Sequence, residues 1–411
     1  MKIAIFTDIY APWGNGGIAS SVKAQKEGLE KCGHKVTVFC PGFESHDKSV
    51  VTVPTHSWWK VSDSSLAKRP SVVEQFVLEK VPNFAEFDLV HVHYEASCSI
   101  AGVRLAKRFD VPLVQTMHGR EDMAIAVNVG HPWKWVTAMT LCTAHSKCLK
   151  HEMKVKRDKF QAPSWTRAKM WELIVNHAEQ ADVVVTPSDH FARKIEHYGV
   201  TRPIEIVSNG IPEELVELEM EPREMHDGDV LKMVWNSRAS KEKRLMQFLQ
   251  AVRTLKRPYV LHVYGDGNML GQAKRYAKRY GLKVKFYGAV KRQKIIDRMK
   301  EAHLGVLASY NFDVQPMTLL EAQAVGLPVF FCDPTMLEVV PEGGFVIAGG
   351  PEAAAMAIAL ENLAPEKINA MSKKMLARRR DVRQEAQIRD LVKVYKKAQE
   401  EHQKRKTAAR K

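Results

Sequence analysis

Gly305-Val306-Leu307-Ala308-Ser309-Tyr310-Asn311-Phe312-Asp313-Val314-Gln315-Pro316-Met317-Thr318-Leu319-Leu320-Glu321-Ala322-Gln323-Ala324-Val325-Gly326-Leu327-Pro328 holds a complete structural sentence. An apolar strand, Gly305–Ala308, leads to a polar turn and then to a helix carrying Glu321. Gly326 and Pro328 end that helix, and a second apolar strand, Pro328–Phe331, follows. Short apolar strands separated by a helix predict a βαβ unit in a parallel sheet covered on both faces.

The same alternation extends in both directions. Upstream in the same half, Leu231–Asn236, Val260–Tyr264 and Val284–Tyr287 read as strands, and Phe345–Ala348 follows downstream. The first half repeats the pattern with Lys2–Asp8, Lys35–Cys40, Val50–Pro54, Asp88–His93, Pro112–His118, Ala181–Pro187 and Ile204–Ser208. Between the halves the alternation pauses in an acid- and proline-rich stretch. The predicted organisation is an N-terminal domain over residues 1–211, a linker over 212–229, a second domain over 230–380 and a C-terminal helix with a basic tail over 381–411. Both domains are α/β and doubly wound. Ligands in such sheets bind beyond the carboxyl ends of strands, so a site in a cleft between the domains is expected.

Length and composition agree with two domains. The 411 residues exceed what one compact core usually organises, and 45% hydrophobic with 27% charged residues is an ordinary globular balance. No apolar run approaches the ~20 residues that span a bilayer. The opening Met1-Lys2-Ile3-Ala4-Ile5-Phe6-Thr7-Asp8 meets an acid too early for a signal peptide and reads as a first strand. Six scattered cysteines without a C-x-x-C pair suit a reducing cytoplasm. The net charge of +15 attracts anionic partners: nucleic acid, lipid headgroups or phosphorylated substrates. It is concentrated at Lys147, Lys150, Lys154, Lys156, Arg157, Lys159, Arg167 and Lys169, and at Lys404-Arg405-Lys406 with Arg410-Lys411.

Three places carry candidate chemistry. Tyr10–Ile18, with Gly16-Gly17, is a glycine-rich turn opening a helix, where backbone N–H groups and the helix dipole favour an anion. Ser237-Arg238-Ala239-Ser240-Lys241-Glu242-Lys243 follows a strand. The planar fork of Arg238 and the point charge of Lys243 together suit a diphosphate. Asp313 in the loop and Glu321 about two helical turns deeper address different parts of one elongated ligand. Carboxylates accept hydrogen bonds from vicinal hydroxyls such as those of ribose and hexoses. No His/Cys cluster has convincing metal-ligand spacing, so neither a metal nor a cofactor is expected; His91 and His93 alternate on a strand and read as structural.

In order, these pieces resemble the retaining GT-B glycosyltransferases of family four. Asp313…Glu321 resembles their E-x7-E motif, with Asp in the first position. Ser237-Arg238…Glu242-Lys243 resembles G-R-x-x-x-E-K, and Gly265-Asp266-Gly267 resembles the G-D-G turn. Gly16-Gly17, His118, Pro187-Ser188 and Ser208-Asn209-Gly210 fall in family order. The resemblance implies two Rossmann-like domains facing a cleft, with the C-terminal helix packing back on the N-terminal domain. It implies Arg238 and Lys243 on the donor diphosphate, Glu321 on ribose, Asp313 on sugar hydroxyls and His118 beside the sugar. Gly16, Gly17, Val314, Gln315, Met317 and Thr318 would line phosphate and sugar, and Gly265–Asn268 with Gly288–Val290 would flank the base. Pro316 removes one backbone donor, a role left to Val314, Gln315 and Met317.

The sequence is similar to bacterial diacylglycerol glycosyltransferases in particular. That implies a nucleotide-sugar donor, UDP-linked, a hexose transferred with retention and a membrane-lipid acceptor, on the cytoplasmic leaflet. Trp133, Trp135, Trp165 and Trp171 interleave with the basic run, and Trp58-Trp59 precede Lys60. Such a stretch reads as a peripheral anchor on an anionic membrane, or equally as core tryptophans under a solvated helix face. A polyprenyl-linked or soluble saccharide acceptor, a nucleotide-sugar epimerase and a basic nucleic-acid-binding protein stand as alternatives. Against the last, no nucleic-acid-binding motif is present.

Overall fold

The computed structural model describes residues 1–13, 16–61, 64–159 and 162–409, apart from the side chains of 57–61, 64 and 409. Gly14, Asn15, the Trp58-Trp59-Lys60 side chains and Arg410-Lys411 lie outside the described parts. The chain divides into two compact units: Met1–Gly210 with Gln384–Lys411, and Ile211–Arg383.

Unit 1 is built on β1 (Lys2–Thr7), β2 (Lys35–Pro41), β3 (Val50–Val53), β6 (Leu89–His93), β7 (Leu113–Thr116), β8 (Val183–Thr186) and β9 (Ile204–Ile206), parallel throughout in the order β3-β2-β1-β6-β7-β8-β9. An antiparallel ribbon, β4 (Thr55–Val61) and β5 (Ser64–Ala67), interrupts the series after β3 and was not predicted. Unit 2 carries β10 (Leu231–Asn236), β11 (Tyr259–Tyr264), β12 (Val284–Gly288), β13 (Leu304–Leu307), β14 (Val329–Phe331) and β15 (Phe345–Ile347) in the order β12-β11-β10-β13-β14-β15, also all parallel. Both orders run outward in two directions from the first strand. The switch points lie between β1 and β6 in unit 1 and between β10 and β13 in unit 2. There the connections leave towards opposite edges and a crevice opens beyond the strand ends.

The strand residues explain their burial. β6 and β13 are buried along their whole length, and β1 from Ile3 onward, because both faces of each sheet are covered; β6 carries His91 and His93 among its apolar residues. In unit 2 one face packs Trp235, Phe248 and Phe330 and the other packs Tyr264, Leu319, Leu320 and Phe331.

The final helix, Gln384–Ala409, belongs to unit 1. Ile388, Leu391, Val394 and Tyr395 join the core under β1 and β6. Gly28 permits this, because a Cβ there would strike Ile388. The basic character of this helix is partly spent internally: Arg405 pairs with Asp182, Lys406 with Asp110, and Lys397 with Glu205 at 2.5 Å.

The predicted linker over 212–229 is instead part of unit 2. Arg223 is buried there, and its guanidinium donates to the carbonyls of Ala302 (3.1 Å), Val325 (2.7 Å) and Met299 (2.8 Å). Met225 N–H donates to Asn369 at 2.9 Å. An acid-rich segment looked solvated because one arginine's carbonyl cage carries no sequence signature.

Candidate active site

In unit 2 the loops after β10 and β13 meet at the switch point. Lys243, at the end of a short 3-10 turn, pairs with Asp313, and its ammonium lies 4.9 Å from the Phe312 ring centroid. Asp313 is engaged through both oxygens, Oδ1 by Lys243 and Oδ2 by the Ser309 hydroxyl. Arg238 lies exposed on the β10 loop. Two glycines let that loop close against the β11 turn. Gly265 (φ 112°) and Gly267 (φ 153°) hold conformations that side chains rarely adopt, and a Cβ at either would strike the Ser237 or Ala239 carbonyl. Backbone bonds fasten the contact, with Ala239 N–H donating to Asp266 at 2.9 Å and Met269 N–H to Ala239 at 2.8 Å. The G-D-G turn therefore props the Arg238 loop.

Pro316 stands just before the helix Met317–Ala324, where no intrahelical N–H bond is needed. Glu321 is buried on that helix, and Arg292 Nε donates to its Oε1 at 2.6 Å. Burial pushes the Glu321 carboxyl up, and the Arg292 charge opposes this. Arg292 was not anticipated. It begins the helix following the Gly288–Val290 loop, and a cation directly after a predicted base-flanking loop was the available signal. Glu242 is buried, accepting from the Ser240 hydroxyl at 2.5 Å. Val314 is buried, whereas Gln315, Met317 and Thr318 are partly exposed at the helix start.

Unit 1 places the remaining candidates. Gly16 takes φ 106° at the head of the helix Gly17–Lys31, the glycine-rich turn that the sequence predicted. Asp8, at the end of β1, accepts the Cys98 and Ser99 N–H groups (2.8 and 3.1 Å) and the Ser99 hydroxyl (2.8 Å), capping the helix Ser97–Phe109. His118 follows β7, and its Nε2 lies 2.8 Å from His93 Nδ1. Burial holds its pKa down at about 4, so the imidazole is neutral near pH 7. His91 bridges the Tyr395 hydroxyl (2.8 Å) and the Thr116 hydroxyl (2.7 Å), the structural role expected of it. His93, read as structural too, is instead the partner of His118.

The tryptophans split between the two readings. Trp171 is fully buried, with Arg120 5.4 Å from its ring centroid. Trp133 and Trp135 stand 67% and 49% exposed on the helix Trp133–Leu149, beside exposed Val136 and Met139. That helix buries Ala138, Cys142, His145 and Leu149 along one stripe. Of the basic run, Arg167 is an interior residue, its Nε donating to Asp122 at 2.9 Å, and Lys169 pairs with Glu172 at 2.6 Å. Lys147, Lys150 and Lys156 are exposed.

Among the described residues no group of three or more His, Cys, Asp or Glu is arranged to hold a metal ion, and no helix is long and apolar enough to cross a membrane. The run Asp227-Gly228-Asp229 is a surface turn in which Asp229 accepts the His226 N–H at 2.8 Å.

Comparison with known proteins agrees with this arrangement. The family model for "Glycosyltransferase Family 4" matches residues 15–215, and that for "Glycosyl transferases group 1" matches residues 219–380. The chain is 36% identical over 125 residues to alpha-monoglucosyldiacylglycerol synthase of Acholeplasma laidlawii, an alignment covering 29% of this chain and 30% of that protein. It is 25% identical over 349 residues to the enzyme of the same name from Streptococcus pneumoniae, covering 80% and 70%. Among solved structures, sucrose-phosphate synthase from Thermosynechococcus elongatus superposes with a TM-score of 0.70 at 14% identity, over 96% of this chain and 98% of that one. Anabaena HepE in complex with UDP-glucose does so at 0.66 and 14%, over 96% and 99%. With two parallel-sheet domains, and with family models matching residues 15–215 and 219–380, the chain belongs to glycosyltransferase family four and has the GT-B fold.

Proposed function

We propose that the protein moves a hexose from a UDP-sugar to the free hydroxyl of a membrane lipid such as diacylglycerol, with retention at the anomeric carbon. The observation that carries this reading is the switch point of unit 2. There a lysine and a doubly engaged aspartate on loops, with a buried glutamate paired to an exposed arginine on the adjoining helices, stand where ligands bind in this topology. The solved HepE complex contains UDP-glucose, and two relatives are named for lipid glucosylation.

Charge grows on the diphosphate as the anomeric bond breaks. Arg238 and Lys243 act chiefly on that transition state. Before donor binds, Lys243 is neutralised by Asp313; the diphosphate takes over the lysine and frees an Asp313 oxygen for sugar hydroxyls. Glu321, oriented by Arg292, accepts from ribose. The first N–H groups of the helix Met317–Ala324 face phosphate. His118 stays neutral and serves as a positioning group within unit 1. No metal is invoked, because the two cations take the developing charge.

The exposed residues of the helix Trp133–Leu149 anchor the enzyme to an anionic bilayer on the cytoplasmic side. Trp133, Trp135, Val136 and Met139 insert among headgroups, while Lys147, Lys150 and Lys156 meet lipid phosphate.

A donor screen tests the reaction. UDP- and GDP-hexoses are incubated with dioleoylglycerol in micelles, with EDTA present, and the product is identified by mass. A hexosyl-diacylglycerol from a UDP-sugar is expected; no lipid product from any donor refutes the reading. Vesicle flotation tests the anchor. Binding should require anionic lipid, weaken with salt and fall on Trp133→Ala with Trp135→Ala, whereas equal binding to neutral vesicles removes that part.

A further inference from the structure

At the switch point of unit 1, His93 closes β6, paired in register with Thr7 of β1 on one side and Thr116 of β7 on the other. The chain then turns through Tyr94, whose φ of 81° is rare for a residue with a side chain, and reaches Glu95. Gln115 donates to the Tyr94 carbonyl at 3.2 Å, which holds the turn. Strain of this kind persists where surrounding structure imposes it, often at functional sites.

Glu95 is buried, yet neither Oε1 nor Oε2 has a hydrogen-bond partner among the described residues. Glu121 Oε2, His93 Nε2 and Gln115 Oε1, from the adjoining segments, are buried and unpartnered as well. Asp8, also buried here, is different: three donors of the helix Ser97–Phe109 saturate it. A buried carboxyl without a partner is costly, and folds rarely retain one without a use. Desolvation first, then the charges of Glu121 and Asp8, push Glu95 well above the usual carboxylate range, and desolvation carries Glu121 to about 7.

We propose that Glu95, with Glu121 and His93 beside it, forms the subsite that receives the acceptor's free hydroxyl. The inference rests on the reading above that the acceptor is a hydroxyl-bearing lipid. An alcohol both donates and accepts, so a hydroxyl can serve an unpartnered acceptor and an unpartnered donor of this cluster at once. An ester oxygen can only accept. An ester brings no proton to the unpartnered oxygens of Glu95 and Gln115, whatever proton the raised Glu95 carboxyl itself carries, so the subsite selects a lipid with an unesterified position. Glu95 binds and orients this hydroxyl.

The test uses the full chain and two soluble probes, 1,2-dihexanoylglycerol and its fully esterified counterpart trihexanoylglycerol, with binding followed by ligand-observed NMR. The wild type should bind the diester at least about tenfold tighter than the triester. Glu95→Leu should bring that ratio close to one, and Glu95→Gln should lower it partway. Both variants should keep the wild-type affinity for UDP and melt no earlier than the wild type, because each removes an unpaired buried carboxyl. A wild type that does not distinguish the probes, or an undiminished ratio in Glu95→Leu, overturns the proposal. Earlier melting of both variants together with lost UDP binding also overturns it, since Glu95 then only supports the fold. The transfer assay separates this from the reaction itself. Hydroxyl selection without transfer refutes the donor chemistry and leaves Glu95 standing; transfer with an unchanged acceptor KM in Glu95→Gln does the reverse.

Discussion

The two units share one way of winding a parallel sheet, yet their switch points are chemically opposite. In unit 2 the carboxylates are matched by cations: Asp313 by Lys243 and Glu321 by Arg292. In unit 1 the histidines are buried and neutral, and Glu95 has no partner. A diphosphate requires fixed positive charge, whereas an alcohol needs donors and acceptors that are not already satisfied. The topology supplies a crevice in each unit, and loop residues decide what the crevice holds.

Removing the central cation breaks the comparison hardest. Lys243→Ala should lower kcat for transfer from UDP-glucose by roughly 100- to 1,000-fold, as expected for a group acting on developing charge. A loss confined to KM would mean that Lys243 binds the ground state alone. A smaller effect belongs to Glu321→Ala, which should weaken UDP binding about tenfold in a calorimetric titration. Unchanged affinity would rule out the ribose assignment.

The smallest effect is proton-linked and belongs to unit 1. Burial lowers the pKa values of His91 to about 3 and of His118 to about 4, and pushes His93 well below its ordinary value. The unfolded chain takes up these protons below about pH 6.5 while the folded chain resists, so stability is lost as pH falls from 6.5 towards 4. Each such histidine contributes up to about 1.4 kcal/mol per pH unit. Glu95 and Glu121 have raised values and act in the opposite sense, gaining stability as pH falls towards about 4.5, so only part of the loss survives. The melting temperature should therefore drop by a few degrees between pH 6.5 and 5, and a rise would show that the carboxyls dominate. Glu121→Gln removes one opposing contribution and should steepen the drop.

The candidate site of unit 2 was largely legible in the sequence because its charged groups sit on short loops directly after strands. The strand Leu231–Asn236 was bounded correctly, and Arg238, Lys243 and Asp313 follow strand ends by a few residues. Arg292 was missed because its partner lies 29 residues away along the chain. The β4–β5 ribbon was missed because a run holding Trp58-Trp59-Lys60 with Ser62-Asp63-Ser64-Ser65 lacks the apolar continuity of a buried strand. The tryptophans were undecidable from sequence: Trp133 and Trp171 stand among similar neighbours, and only packing buries the second.

By itself the sequence determined the alternation of strands and helices, the charged loops after the unit 2 strands and the family resemblance, all of which are local in the chain. Tertiary structure alone decided that residues 212–229 belong to unit 2 and that Glu95 is left without a partner among the described residues. The reason is physical: burial and hydrogen-bond satisfaction depend on which distant segments close over a group, and periodicity along a chain carries no record of that.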